Sequence, residues 1–248
     1  MHLSAKPDSK CPLFFFVAVV SCISLSWTAR SLIAADPLTR VGVNSADSNP
    51  FDGKSLAAWT TPDGKPITQG WEVIDGMIHL KKNAKGAGNI VTATEFGNFS
   101  LSFEWKIGTG GNNGIKYRVN RYGQRLLGCE YQVYDDNGPK KVAPKNSSGA
   151  LYDLYEPSSA KKLNPTGEWN QSKIVSFDNR IEHWLNGIQV VTATVGDSEW
   201  KKRIGESKFN EYAGFSEKPT GKLMLTDHGS EVWYRNFTFE PLTDAVKP

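Results

Sequence analysis

The chain is short of the residues that announce covalent architecture or ready-made chemistry. It has three cysteines in 248 residues, and two of them, Cys11 and Cys22, fall in an apolar N-terminal run. Only Cys129 remains in the body of the chain, so no internal disulfide can staple it and a packed core must hold it instead. A small buried thiol is the plain reading of Cys129, because no downstream histidine sits in a cysteine-protease pattern. Charge of one sign is also lacking: 29 basic and 26 acidic residues leave a net +3. No basic block of the kind that tracks phosphates stands out, which leaves nucleic acid without support as a partner. HExxH, EF-hand and CxxC patterns are missing, as are heptads, low-complexity tracts and repeats of fixed period. Any divalent metal ion would therefore have to be assembled from residues distant in sequence, such as Glu130 and His228.

What is present begins with an address. Lys6 and Lys10 precede the uncharged run "CPLFFFVAVVSCISLSWTA", which ends at Arg30, and Ala34 and Ala35 then offer a cleavage point. This three-part layout predicts a signal peptide over residues 1–35 and an exported protein, periplasmic or extracellular. The run is also nearly long enough to remain as a membrane anchor, and "VVSC" loosely resembles a lipoprotein box. A polar linker follows over residues 36–49, then one domain over 50–242, then a short tail over 243–248. Once the leader is removed, no membrane domain is expected.

Nearly every periodic segment of that domain alternates. "WEVIDGMIHL", "FSLSFEWKIG", "CEYQVYD", "RIEHWLNGIQVVTATV" and "EVWYRNFTFEPL" read as strands, separated by turn dipeptides such as Asp75-Gly76, Asn113-Gly114, Asn137-Gly138 and Asn186-Gly187. The pattern predicts an all-β sandwich of two antiparallel sheets, a jelly roll whose concave sheet carries a ligand site. Only Asp197 to Asn210 reads helically, with Asp197 as its cap. Eight Trp, eight Tyr and twelve Phe suit sugar stacking but are ordinary filling for such a core.

One strand departs from the filling pattern. In "GCEYQVYDDNG" alternation puts Cys129, Tyr131 and Val133 on one side and Glu130, Gln132 and Tyr134 on the other. The polar row lines a cleft if this strand lies on a concave sheet, and is merely wetted otherwise. Asp136 in "DDNG" reads as a turn residue, which leaves Asp135 as a possible site group.

Taken together, "LAAWTTPDG", "GWEVIDGMI", "FSLSFEWKIGTGGNNGIKYR", "GCEYQVYDD", "GALYDLYEP", "GEWNQSKIV", "RIEHWLNGIQV" and "LTDHGSEVWYRNFTFEPL" resemble the DUF1080 family. That family is described as the 3-keto-α-glucoside-1,2-lyase/3-keto-2-hydroxy-glucal hydratase domain, or 3-keto-disaccharide hydrolase. The resemblance spans about Pro50 to Leu242, with one departure: Thr226 stands where the family pattern "LQDHG" has glutamine. It implies a concanavalin-like jelly roll acting on 3-keto sugars or glycosides. A ketone at C3 acidifies the C2 hydrogen, so the C1 substituent can leave by elimination and water can then add back, giving net hydrolysis. Such a route needs a base near C2, donors at the C3 oxygen and an acid near the leaving oxygen.

The matching motifs offer His228 and Glu130 as catalytic groups, Glu130 also as a metal ligand. They offer Arg118, Gln132, Asn113, Asp135, Tyr152 and Tyr134 for substrate. Arg118 would polarise the C3 oxygen, and Tyr152 would donate to the leaving oxygen. Trp169 reads as loop packing and Arg235 as a structural ion-pair partner. A non-catalytic carbohydrate-binding jelly roll is the alternative, since the same fold serves both. A laminarinase-type hydrolase is excluded by the absence of its ExDxxE carboxylates.

Overall fold

The structure is a computed structural model that describes residues 49–243; the expected leader, most of the linker and most of the tail lie outside the described residues. Within them the chain forms β1 (Trp59–Thr60), β2 (Trp71–Ile74), β3 (Met77–Leu80), β4 (Ile90–Thr92), β5 (Phe99–Ile107), β6 (Asn112–Tyr122) and β7 (Arg125–Tyr134). There follow β8 (Asn170–Phe177), β9 (Arg180–Leu185), β10 (Ile188–Thr194), α1 (Ser198–Gly205), β11 (Lys222–Leu225) and β12 (Val232–Pro241). The strands make a five-stranded sheet in the order β1-β4-β11-β6-β7 and a seven-stranded sheet in the order β10-β9-β8-β5-β12-β3-β2. This is the jelly-roll sandwich that the alternating segments predict, with one α-helix among the described residues.

Local chemistry explains the joints. Asp75 and Gly76 have φ of 49° and 75°, and Asn186 and Gly187 have 46° and 80°, the paired positive values of tight turns that follow strand twist. Asp197 caps α1 by accepting the Trp200 N–H at 2.7 Å, which satisfies one of the donors that a helix start leaves orphaned. Asn113-Gly114 behaves differently from its turn-like spelling. The pair lies inside β6, with Asn113 opposite Val133 and Gly114 opposite Gln132.

Between the sheets, Phe99, Leu101, Phe103, Trp105 and Ile107 of β5 face Ile115, Tyr117, Cys129, Tyr131 and Val133 of β6 and β7, all buried in one cluster. Truncating one of these aliphatic chains to alanine costs about 2–5 kcal/mol. Polar groups cross the same interior in pairs. Ser172 Oγ receives Trp105 Nε1–H at 2.9 Å and bonds the Tyr131 hydroxyl at 2.7 Å. His183 lies between Tyr117 Oη at 2.8 Å and the Gly149 carbonyl at 3.0 Å. Donation from Nδ1–H to Gly149 leaves Nε2 to accept from Tyr117. Burial pushes the His183 pKa down to about 4 and the Cys129 thiol up to about 11, because both charged forms lose hydration.

Three residues expected at the substrate are placed in this framework instead. Arg118 has φ of 50° and lies where the β6–β7 register shifts between Tyr117 and Asn120. The bulge turns its side chain inward, where it is 1% exposed and donates to Ser176 Oγ and to the Ser216 and Asp178 carbonyls. Asn113 is fully buried; it donates to the Thr226 carbonyl and accepts the Tyr234 hydroxyl at 2.7 Å from the opposite sheet. Asp135 receives Gly110 N–H at 2.7 Å and the Thr166 hydroxyl at 2.5 Å, so it knots two loops together. All three spend hydrogen bonds on the fold itself, Arg118 and Asn113 inside the sandwich and Asp135 between two loops.

Candidate functional site

The outer face of the five-stranded sheet is built in rungs. Met224, Lys116 and Glu130 are partners across β11, β6 and β7. Residues 149–152 extend the sheet past β7, with Gly149 N–H donating to the Gln132 carbonyl, Gln132 N–H to Ala150 and Tyr152 N–H to Glu130. Tyr131 bridges Leu151, and both are in the core, so alternation puts Tyr152 beside Glu130 on the outer face. On the next rung Thr226 N–H donates to the Gly114 carbonyl and Gly114 faces Gln132.

This polar row is not wetted. Glu130 is 5%, Gln132 2% and Thr226 1% exposed, so neighbouring groups cover these residues and they do not form an open surface. The Glu130 carboxylate accepts no hydrogen bond from the described residues. Its one close polar partner among the described residues is Lys116 Nζ, 3.5 Å from Oε2, a loose pair with hydrogen-bonding capacity to spare. Gly114 makes room for it: a Cβ there would collide with Glu130 Oε1 and lie 2.9 Å from Cγ and 3.0 Å from Cδ.

His228 stands near Glu130 and Lys116, in the turn after β11. Asp227 accepts Gly229 N–H at 2.8 Å and Gly88 N–H at 2.9 Å, fixing the backbone while leaving the imidazole unbonded. A polar relay ties this turn to the covered row, since Gln132 Nε2–H donates to Asn112 Oδ1 at 2.8 Å and Asn112 N–H donates to Ser230 Oγ at 3.0 Å. His228 is exposed, and the partial desolvation of its imidazole by the protein beside it holds its pKa below the ordinary 6.5. The charge of Glu130 opposes that shift, Lys116 and Lys208 reinforce it, and Asp227 opposes it. Lys208 is also the neighbour of Tyr152, with its Nζ 4.1 Å from the ring centroid.

Of the residues singled out by sequence, the fold brings Glu130, Gln132, Tyr152 and His228 to one neighbourhood on the outer face of the five-stranded sheet. Tyr134 lines a recess with Pro165 and Thr166 at the end of β7. Arg235 pairs with Glu104 at 2.8 Å and stacks on Trp169 with Cζ 3.8 Å from the ring. Sequence reasoning missed Lys116, Lys208 and Gly114. Period-two spacing from Asn112 would have placed Gly114 and Lys116 on one face of "NNGIK", had that stretch been read as strand rather than turn. The donor set fits a dedicated cation poorly. No cluster of three or more His, Cys, Asp or Glu side chains suited to a metal occurs among the described residues, and an ammonium already accompanies the Glu130 carboxylate.

Known proteins are similar in sequence and in fold. A Bacteroides thetaiotaomicron protein named 3-keto-disaccharide hydrolase is 29% identical over 226 residues, 77% of each chain. Two solved Parabacteroides distasonis chains, each named only as a candidate glycosyl hydrolase, are also similar. One is 33% identical with a TM-score of 0.70, covering 78% of this chain and 93% of that one. The other is 25% identical with a TM-score of 0.64, covering 78% and 98%. The profile of the 3-keto-alpha-glucoside-1,2-lyase-like domain matches residues 48–240, and the chain belongs to that family.

Proposed function

We propose that this protein cleaves the glycosidic bond of 3-keto-glycosides, 3-keto-disaccharides among them, by elimination followed by hydration. The observation that carries the reading is the Glu130 carboxylate, nearly buried on the outer sheet face with no hydrogen bond from the described residues to occupy it and a cation 3.5 Å away. Glu130 takes the C2 proton of the bound keto sugar. The electron pair of that C–H bond forms the C2–C3 double bond of an enolate. When the C3 carbonyl re-forms, the pair moves into C1–C2 and the C1–oxygen bond breaks. Tyr152, beside Glu130 on the sheet, offers its hydroxyl proton to the departing oxygen.

Hydration then returns a hydroxyl to C1 and a proton to C2. A base for water must be unprotonated near neutrality, and His228, with its lowered pKa and unbonded ring, meets that requirement. Gln132 and Asn112 hold sugar hydroxyls. The leader expected over residues 1–35 points to the same activity taking place after export.

The test is incubation of the protein in D₂O with a native disaccharide and with its 3-keto derivative, following C2 deuterium, the 2-hydroxy-glucal and bond cleavage. Only the keto sugar should be cleaved. Glu130→Gln should lose both C2 exchange and cleavage by at least about 10²-fold, whereas His228→Ala should still eliminate and accumulate the glucal. Cleavage of the native disaccharide without C2 exchange would sink the mechanism, and binding without turnover of either sugar would leave a carbohydrate-binding domain.

A further inference from the structure

We infer that the Lys116 ammonium is the electrophile at the C3 oxygen, holding the enolate charge that elimination creates. The inference rests on the reading of Glu130 as the C2 base and extends it to the neighbouring atom of the substrate. Lys116 and Glu130 are direct cross-strand partners, and their charged ends lie 3.5 Å apart on the same face of the sheet. The two atoms of the keto sugar that react first, the C2 hydrogen and the C3 oxygen, sit on adjacent carbons. A carboxylate and an ammonium at this separation can therefore each address one of them without either moving far.

Two further observations favour Lys116 over other donors. Arg118, the other cation of the "GIKYR" segment, is committed to Ser176, Ser216 and Asp178 inside the sandwich. Among the described residues the Lys116 ammonium has Glu130 as its one polar partner, and its side chain is 18% exposed, so it is enclosed yet has donors unspent. The charge balance of the step closes with these groups alone. As the C2–H bond breaks, the proton neutralises the Glu130 carboxylate and the negative charge reappears on the C3 oxygen. The ammonium thus keeps one anion beside it throughout, and the ion pair present before reaction is replaced by another. A metal ion is not required to supply that positive charge.

Lys116→Met and Lys116→Arg in the full chain, assayed with the 3-keto disaccharide in D₂O, test the inference. Lys116→Met should slow C2 exchange and cleavage together by about 10²–10³-fold, while Lys116→Arg, which keeps a cation, should recover at least a tenth of the wild-type exchange. Removing the cation should also raise the pKa of His228, moving the acid limb of glucal hydration upward in pH; Glu130, Asp227 and Lys208, the other charges that act on the ring, stay in place. A purely structural role for Lys116 would lower the melting temperature without changing exchange per folded molecule, and that result overturns the inference. So does loss of wild-type exchange on chelation with recovery on adding a divalent metal. Wild-type protein that cleaves the keto sugar with no C2 exchange would instead remove the elimination reading itself.

Discussion

Replacing Gly114 by alanine separates placement of the proposed base from stability of the fold. Gly114 does not have the positive φ of the glycines that need it, so alanine can adopt its backbone without strain. Glycine inside a strand costs about 0.5–1 kcal/mol relative to alanine. Moving the Glu130 side chain off its rotamer costs a similar amount, roughly 0.5–1.5 kcal/mol. The two offset, and the melting temperature should shift by no more than about 2–4 °C. The rate should respond quite differently. A new Cβ would lie 2.9 Å from Glu130 Cγ and 3.0 Å from Cδ, whereas unstrained carbon contacts lie at about 3.5–4.0 Å. The carboxylate must therefore retreat by roughly 0.5–1 Å, and a displacement of that order costs about 10²-fold in rate. C2 deuterium exchange of the 3-keto sugar, beside a thermal melt, reads both quantities. Unchanged exchange in a protein with an unchanged melt would refute the idea that this carboxylate, at this place, sets the rate.

Other consequences follow from the titrating groups. Hydration by neutral His228 should fall as pH drops through a pKa below 6.5, so wild-type protein in mild acid should accumulate glucal from keto substrate, as followed by absorbance or NMR. His183 has a folded pKa of about 4 against an ordinary 6.5, so between those values the unfolded chain binds more protons than the folded one. Stability is then fully present above about 6.5 and is lost as pH falls towards 4, by about 3 kcal/mol in all. Denaturant midpoints across that range should flatten in His183→Gln, and an equal slope in that variant would assign the loss to other groups. Cys129, with its thiol pushed up to about 11 inside the core, should resist alkylation at pH 8 until denaturant is added, as peptide mapping would record.

Alternation made the sandwich legible in the sequence. Strand period, turn dipeptides and the Asp197 cap each depend on neighbours in the chain; β5, β9 and β10 follow them closely, and α1 starts at its cap but ends at Gly205, short of the Asn210 that the sequence suggests. "CEYQVYD" even separates its faces correctly, with Cys129, Tyr131 and Val133 in the core. The misplacements involve non-local geometry. Arg118 turns inward because β6 and β7 slip register at a bulge, and nothing in "KYRV" spells a bulge. Asn113 reads as a turn residue because its partners, Thr226 and Tyr234, lie 113 and 121 positions away. Glu130 was visible as an odd polar residue, but its cation was not, since Lys116 becomes its partner only through hairpin register.

The short run at residues 149–152 has an implication for what can reach these groups. Strand β7 would otherwise be an open sheet edge directly beside Glu130, with the backbone donors and acceptors of Glu130 and Gln132 free to recruit any extended peptide. The chain closes that edge with its own backbone. Visitors are thus refused a lateral berth and must descend onto the face, where side chains rather than main-chain amides choose among them. A rigid ring bearing hydroxyls suits that approach far better than a polypeptide does.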